Sequence, residues 1–394
     1  MIATVISPRL MLVGGGAVLE VASVLQKFGL SRPLVVTDPF MVSSGLIRRC
    51  LDPLEAAGLH PVVFSDTVPE PTDTVIDAGT VVLQAGEFDC LIGFGGGSPI
   101  DTAKAMVVLA AGRTVKPGVV MREFKVPVAN DGAALPVIAI PTTAGTGSEA
   151  TCFTVITDTA RGEKMLIAGM AALPLAAIVD YELTFTVPSR ITADTGVDSL
   201  THALEAYVSR RANPYSDTQA LAAMALIGAN LRKAYAEPQN ASAREAMMLG
   251  AMQAGIAFTN SSVALVHGMS RPIGAHFHVP HGLSNAMLLP AITRFGLEAA
   301  GARYATASRT IGFAGVGDSD AVAAEKLADG LVQLNHALDV PTPAGFGIDK
   351  AEWDAKLALM AEQALGSGSP GNNPRVPDAR EIMALYRVVW SGNA

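Results

Sequence analysis

The two halves of the chain carry different sequence patterns. In the first half, short apolar segments alternate with amphipathic ones, which is typical of parallel strands joined by helices. The predicted strands are residues 33–37, 60–64, 90–94, 136–141 and 176–180. After Val187-Pro188 strand-like segments become rare, and helical patterns dominate, as in residues 216–236 and 319–338. The sequence predicts an α/β domain over residues 1–187 and an all-α domain over residues 188–394.

Charge and cysteine content narrow the class of protein. The chain of 394 residues has a net charge of -8 and no Lys/Arg cluster of the kind that neutralises phosphates, so we expect no nucleic-acid partner. The uncharged stretch 246–270 is interrupted by polar residues, which predicts buried core rather than a membrane span. Three widely spaced cysteines, Cys50, Cys90 and Cys152, form no disulfide framework, and no signal peptide is recognisable. A cytoplasmic protein is therefore expected.

A glycine-rich turn and a threonine-rich turn indicate a nucleotide site. Residues 93–101, GFGGGSPID, join a predicted strand to a predicted helix, where backbone N–H groups can approach a pyrophosphate. Residues 141–149, PTTAGTGSE, offer hydroxyls after the next strand, although a plain polar loop is the alternative. Asp38 ends the strand of residues 33–37 and would favour NAD over NADP; otherwise it is a turn residue before Pro39.

Histidines are concentrated in the second half of the chain. Asp198 and His202 lie four residues apart in a helical pattern, so their side chains share one helix face. Four further histidines fall within residues 267–281: His267, His276, His278 and His281. Three imidazoles and one carboxylate would hold a divalent cation with an open coordination position, although not all of these histidines can be ligands.

These four elements together resemble the iron-containing (group III) alcohol dehydrogenase family. They are GGGSPID (95–101), PTTAGTGSEAT (141–151), TADTGVDSLTHALEAY (192–207) and HGMSRPIGAHFHVPHG (267–282), in the family's order. The resemblance implies a Rossmann-like domain and a helical domain with a cleft between them, the two-domain plan of dehydroquinate synthase. It also implies a homodimer that binds NAD and Fe(II), with Zn(II) or Mn(II) as alternatives.

The resemblance also assigns roles to individual residues. The implied metal ligands are Asp198, His202, His267 and His281. The implied cofactor-binding residues are Asp38, Gly96, Gly97, Ser98, Asp101, Thr142, Thr143, Thr146, Lys164 and Leu183. Substrate-lining positions correspond to Thr151, Phe153 and Phe258, with core packing as the alternative for the two phenylalanines.

Arg271 departs from the family pattern. Many members have a histidine at this place, near the substrate, that is a candidate for proton relay. An arginine stays protonated, so the relay would fall to His276, His278, water or the nicotinamide ribose hydroxyls. A guanidinium can instead bind an anionic substrate such as a hydroxy acid or its semialdehyde, unless it pairs with a structural acid.

The resemblance implies reversible hydride transfer between NAD(H) and a short-chain alcohol or aldehyde, a small-molecule substrate. Two other activities stay open. A hydroxyacid–oxoacid transhydrogenase would keep the dinucleotide bound while two substrates alternate. A dehydroquinate-synthase-like lyase would need a strongly basic site, for which only Lys164 and Arg271 are candidates.

Overall fold

The computed structural model describes residues 2–392. It divides the chain into two compact units. The α/β unit is Ile6–Thr186, and the helical unit starts at Val187 and includes the N-terminal residues up to Val5. Residues 1, 393 and 394, at the outer ends of the two predicted domains, lie outside the described part.

A six-stranded parallel sheet forms the centre of the α/β unit, with the order β1-β8-β5-β4-β2-β3. Each of the five predicted strands is present, and the predicted α/β fold class is confirmed. The sheet strands are β1 (Leu10–Val13), β2 (Pro33–Val36), β3 (Val62–Phe64), β4 (Cys90–Gly95), β5 (Val137–Pro141) and β8 (Ala176–Val179). A separate antiparallel hairpin is formed by β6 (Phe153–Asp158) and β7 (Glu163–Ala168).

Helices cover both faces of this sheet. They are α1 (Val21–Lys27), α2 (Pro39–Ser43), α3 (Arg48–Ala56), α4 (Asp73–Ala85) and α5 (Gly97–Val115). Successive residues of β2 point to opposite faces: Leu34 and Val36 pack in a core with α4 and α5, and Val35 packs in a second core with α1 and α3. Burial on both faces explains why these strands read as continuous apolar segments.

The helical unit contains no strand among its described residues. Its helices are α6 (Ser189–Val208), α7 (Pro214–Ala236), α8 (Ala241–Thr259), α9 (Leu265–Phe277), α10 (His281–Ile311), α11 (Asp320–Ala337), α12 (Pro343–Phe346), α13 (Lys350–Gly366) and α14 (Ala379–Ser391). Short 3-10 helices cover Ala17–Glu20, Met121–Phe124, Ser148–Ala150, Met170–Ala172, Tyr181–Thr184 and Ser369–Asn372. Across residues 2–392, no helix combines the length and the apolar character that crossing a membrane requires.

Prolines set the starts of two helices that carry candidate site residues. Pro188 precedes α6 with φ of -58°, and Pro280 precedes α10 with φ of -52°. The proline ring fixes φ near this value and removes an N–H group that would lack a partner at a helix start. Pro188 and Pro280 therefore favour the observed starts of α6 and α10. As a result, His281 is the first residue of α10, and Asp198 and His202 lie within α6.

Candidate functional site

The carboxyl ends of β2 and β4 lie where the order of strands reverses. From β2 the chain moves outward to β3 and then returns to β4 on the other side of β2. Ligands of open parallel sheets bind outside the strand ends at such a point. Asp38 follows β2 and Gly96 follows β4, so the structure brings two predicted cofactor residues to neighbouring strand ends.

Asp38 has one carboxylate oxygen in use and one free. Its Oδ1 accepts the N–H of Met41 at 2.9 Å and caps α2, which agrees with the turn interpretation. Its Oδ2 makes no hydrogen bond with a described residue, so it can accept a ribose hydroxyl. The preceding Thr37 donates its hydroxyl to the carbonyl of Phe94 at 2.8 Å and ties the two strand ends together. Both interpretations of Asp38 therefore fit this geometry.

The start of α5 has the features of an anion site. Gly96 is the N-cap residue and supplies no side-chain cap, so the first N–H groups of a 19-residue helix have no side-chain acceptor there. A Cβ at Gly97 would lie 2.7 Å from Cγ2 of Thr146, so only glycine lets the threonine turn come this close. A pyrophosphate at a helix N-terminus is favoured by these N–H groups and by the helix dipole.

Thr142 provides a further observation that fits a bound dinucleotide. Its N–H donates to the carbonyl of Gly95 at 2.8 Å, which holds the threonine turn beside the glycine turn. Its hydroxyl is buried and has no hydrogen-bond partner among the described residues. Buried hydroxyls normally find partners, and a ligand group at this strand end would supply one.

A buried lysine that the sequence analysis did not single out organises the threonine turn. Lys104 donates to the carbonyls of Ser148, Thr151 and Phe153 at 2.5, 2.9 and 3.0 Å, and also contacts the hydroxyl of Thr151 at 3.1 Å. The carboxylate of Asp101 accepts from Ser148 Oγ at 2.6 Å and from the N–H of Val155 at 2.8 Å. The polar groups of Asp101 and Thr151 are therefore occupied within the unit.

Glu149 is buried in the same turn and should make stability depend on pH. Burial raises its pKa from 4.5 to about 7. Between about pH 4.5 and 7 the folded state holds a proton that the unfolded state releases, so stability falls as pH rises through this window. Glu149→Gln should therefore stabilise the protein relative to the wild type at about pH 8 but not at about pH 5, by on the order of 3 kcal/mol.

Melting curves followed by circular dichroism at the two pH values would measure this difference. Glu298→Gln is the control, because Glu298 is 91% exposed and should show no such dependence. Equal effects of Glu149→Gln at both pH values would contradict the prediction, because the protonation of Glu149 would then not contribute to the pH dependence of stability.

Lys164 is linked to the glycine turn through a residue that the sequence did not highlight. Its Nζ pairs with Oε1 of Glu70 at 2.5 Å, and the N–H of Glu70 donates to Oγ of Ser98 at 3.3 Å. The structure thus places Lys164 and Ser98 on either side of Glu70. Leu183 is buried, and its side chain packs in the core that contains residues of β2, α1 and α3.

Four side chains of the helical unit form a compact cluster of metal-ligand type. Asp198 and His202 come from α6, His267 from α9, and His281 is the first residue of α10. One ligand atom from each lies within 4.8 Å of all the others. The side chains of the first three are 3–6% exposed, and that of His281 is 36% exposed. The cluster is therefore closed on one side and accessible from the side of His281.

The distances within this cluster fit a divalent cation. Oδ1 of Asp198 lies 3.8, 3.5 and 3.8 Å from Nε2 of His202, His267 and His281. Tetrahedral ligands about 2.1 Å from a cation are about 3.4 Å apart. Burial alone would raise the pKa of Asp198, but the three imidazoles outweigh burial and hold its pKa below the usual range. The carboxylate is therefore ionised, as a metal ligand has to be.

Two contacts hold the cluster together from outside. A Cβ at Gly282 would lie 2.4 Å from the carbonyl of Asp194, so glycine is what lets the start of α10 approach α6. The ring of Phe258 stacks on His202 with centroids 4.4 Å apart. Phe258 therefore lies against a candidate ligand, whereas Phe153 is the first residue of β6 in the α/β unit.

Glu205 and Asn285 are two site residues that the sequence analysis missed. Glu205 is 3% exposed and accepts from Nδ1 of His267 at 2.6 Å. Asn285 Nδ2 lies 2.6 Å from Oδ1 of Asp198 and 3.2 Å from Nε2 of both His267 and His281. Its Oδ1 is buried and accepts no hydrogen bond from a described residue.

His276 and His278, the predicted relay residues, are not brought into this cluster. His276 lies nine residues after His267 on α9, which places it on the opposite face of the helix. Its Nε2 is 2.8 Å from Oε1 of Gln363. His278 is exposed and caps the end of α9 with a φ of 54°.

Arg271 is a half-buried cation one helical turn after His267. Its guanidinium makes no hydrogen bond or ion pair with a residue in the described range 2–392. Burial lowers the pKa of Arg271, and the charge of Glu205 opposes this shift. Glu205 itself is bonded elsewhere. The structure therefore does not show the structural ion pair that was the alternative explanation of Arg271.

Comparison with known proteins agrees with this geometry. The family model described as "Iron-containing alcohol dehydrogenase" matches residues 8–181, and "Fe-containing alcohol dehydrogenase family, C-terminal" matches residues 192–390. An NAD-dependent methanol dehydrogenase from Bacillus methanolicus is 36% identical over 381 residues, 96% of this chain and 98% of the relative.

Two solved structures share the whole fold. A crystal structure of 1,3-propanediol oxidoreductase has a TM-score of 0.93 and 32% identity, covering 99% of this chain and 100% of the other. A sulfoacetaldehyde reductase from Bifidobacterium kashiwanohense in complex with NAD+ has a TM-score of 0.87 and 29% identity, covering 99% of each chain. The chain therefore belongs to the iron-containing alcohol dehydrogenase family and is an oxidoreductase.

Proposed function

We propose that this enzyme transfers hydride reversibly between NAD(H) and a short-chain alcohol or aldehyde, and that its preferred substrate carries an acidic group. The observation that carries the proposal is the cluster of Asp198, His202, His267 and His281 in a member of this family. Three imidazoles and a carboxylate suit Fe(II), and also Zn(II) or Mn(II). We propose Fe(II) as the native metal.

The proposed dinucleotide site lies at the strand ends of the α/β unit. The N–H groups at Gly97 and Ser98 would hold the pyrophosphate, and Oδ2 of Asp38 would accept a ribose hydroxyl. A carboxylate at that place repels a 2′-phosphate, which favours NAD over NADP. The threonine turn would border the nicotinamide side through Thr142, Thr143 and Thr146, with Lys164 at the nicotinamide ribose.

The proposed metal centre lies in the helical unit. A divalent cation held there would supply Lewis-acid polarisation of an alcohol or carbonyl oxygen. Asp198 would contribute the only negative charge among the four ligands, and the exposed side of His281 is the proposed entrance for substrate. Arg271 cannot take a proton and the two relay histidines lie outside the cluster, so water or the nicotinamide ribose hydroxyls are the proposed proton carriers.

The acidic substrate is inferred from Arg271. A half-buried guanidinium without an acceptor is costly, and a carboxylate or sulfonate would supply a bidentate acceptor. The sulfoacetaldehyde reductase with the same fold is named for an anionic aldehyde, whereas the methanol dehydrogenase is named for a neutral alcohol. The family alone therefore leaves both classes open, and Arg271 is what favours the anionic one.

The proposed setting is a homodimer in the cytoplasm. The three cysteines are buried and free, which agrees with a reducing compartment. The homodimer is inferred from the family resemblance, and light scattering of the purified enzyme would test it.

The test is anaerobic oxidation of NADH or NADPH after loading with Fe(II) or Zn(II), using paired short aldehydes that differ only in a terminal carboxylate. We expect metal-dependent turnover with NADH and faster turnover of the carboxylated aldehyde. Turnover of neutral aldehydes alone would contradict the proposed anionic substrate but would still support the dehydrogenase activity. Bound metal and NAD without turnover would contradict the dehydrogenase, and NAD retained through purification would then support a transhydrogenase.

A further inference from the structure

The helix that carries His267 begins without a side-chain cap of its own. The N-cap residue of α9 is Ala264, which has no polar side chain to accept the first N–H groups. Such groups need acceptors when a helix start is buried, and Ala264 and Val266 are 0% and 2% exposed. The acceptor comes from another helix: Glu205 of α6 accepts the N–H of Ala264 at 2.9 Å and that of Val266 at 2.5 Å.

The same carboxylate also contacts the imidazole of His267. Oε2 of Glu205 lies 2.6 Å from Nδ1, the ring nitrogen that points away from the ligand cluster. Both oxygens of this carboxylate already accept backbone N–H groups, so Glu205 acts here as an acceptor and Nδ1 is the donor in the contact. Nε2 is then unprotonated and directed at Asp198. One buried side chain thus holds the start of α9 in place and also determines which ring nitrogen His267 offers to the cluster.

We propose that Glu205 is a positioning residue of the metal centre, which fixes the tautomer and the orientation of His267 while it caps α9. Its position on α6 makes this arrangement rigid, because Asp198 lies two turns and His202 one turn before it on the same helix. Three groups that determine the centre therefore share α6, and Glu205 extends that control to α9. Partners of this kind change metal affinity by 10–100-fold in other proteins.

Glu205→Gln is the sharpest variant, because it keeps the size of the side chain and removes one acceptor. All three donors point at the carboxylate, so the new NH2 group must face an N–H of Ala264 or Val266, or Nδ1 of His267. If it faces His267, the ring can accept only by moving its proton to Nε2, the atom that the metal needs. Each arrangement disfavours the geometry that binds metal.

The control is Tyr386→Phe, which removes a hydrogen bond to α9 but leaves the contacts of the His267 imidazole unchanged. Tyr386 is buried and donates its hydroxyl to the carbonyl of Met269 on α9 at 2.7 Å. This variant should lower the melting temperature, because it leaves a buried carbonyl unpaired. It should leave the dissociation constant of Zn(II) within about threefold of the wild type.

The experiment measures Zn(II) and Co(II) dissociation constants by chelator competition in the purified wild type and both variants, with circular dichroism as the folding check. We expect Glu205→Gln to weaken binding by about 10–100-fold and to change the visible spectrum of bound Co(II). Affinity in this variant equal to that of Tyr386→Phe would overturn the role of Glu205.

A measurement on the wild type keeps the inference testable if Glu205→Gln does not fold. In protein labelled with 15N-histidine and loaded with Zn(II), His267 should carry its proton on Nδ1. A ring bound to metal through Nδ1 would overturn the inference. The inference rests on the proposed metal centre, and a wild type that binds no Zn(II) or Co(II) would refute the centre itself.

Discussion

Asp198→Ala should abolish stoichiometric metal binding and lower kcat/KM for the preferred aldehyde by at least about 1,000-fold. Asp198 supplies the only anionic ligand atom of the cluster, 3.5 to 3.8 Å from three imidazole nitrogens. Loss of Lewis-acid stabilisation is worth several kcal/mol, and each 1.36 kcal/mol changes the rate about tenfold. Metal analysis after gel filtration and steady-state kinetics would measure both effects.

The matched control for this variant is Asp194→Asn. Asp194 lies one helical turn earlier on α6 and pairs with Arg190 at 2.5 Å, outside the ligand cluster. We expect it to retain metal and most activity. An Asp198→Ala enzyme that kept both bound metal and turnover would show that the chemistry takes place elsewhere.

Arg271→Met should lower kcat/KM for a carboxylated aldehyde by about 10–100-fold and leave the neutral counterpart nearly unchanged. Hydrogen bonds to charged groups contribute about 1.5–3 kcal/mol, which corresponds to this range. Methionine keeps an unbranched stem of similar length, so the change removes charge more than packing. The measurement is the ratio of the two kcat/KM values in wild type and variant.

Arg294→Met provides the comparison, because Arg294 is an exposed arginine of the same unit that pairs with Glu325 and Asp329. It should leave the ratio unchanged. If Arg271→Met also kept the preference of the wild type, Arg271 would be excluded as the anion-binding group, and the dehydrogenase proposal would stand without an acidic substrate.

The fold class could be predicted from sequence because buried parallel strands are recognisable locally. The strand elements that were missed lack that signal. β1 is an edge strand of four residues with alternating exposure, and β6 and β7 form a separate hairpin in which partly buried and buried residues alternate. Their burial pattern depends on partners distant in sequence, which a search for continuous apolar segments cannot detect.

The candidate site was predicted where spacing along one helix carries information. Asp198 and His202 are an example, and the same rule could have found Glu205, at the next turn of α6, and Asn285, one turn after His281. Their chemistry is visible only once α6, α9 and α10 are packed together. For Asp101 and Leu183, the sequence could not show which contacts the fold itself gives them. Asp101 accepts a hydrogen bond from Ser148, and Leu183 packs in the sheet core.

The pairing of β1 with β8 has a consequence for synthesis of the protein. Leu10–Val13 has one neighbour in the sheet, Ala176–Val179, and the N–H of Val18 donates to Oδ2 of Asp180 at 3.2 Å. Within this sheet, the strand that is translated first therefore has no partner until the last strand of the sheet has been translated. Contacts so far apart in sequence slow folding. The nascent α/β unit must keep an unpaired strand available during nearly all of its own elongation.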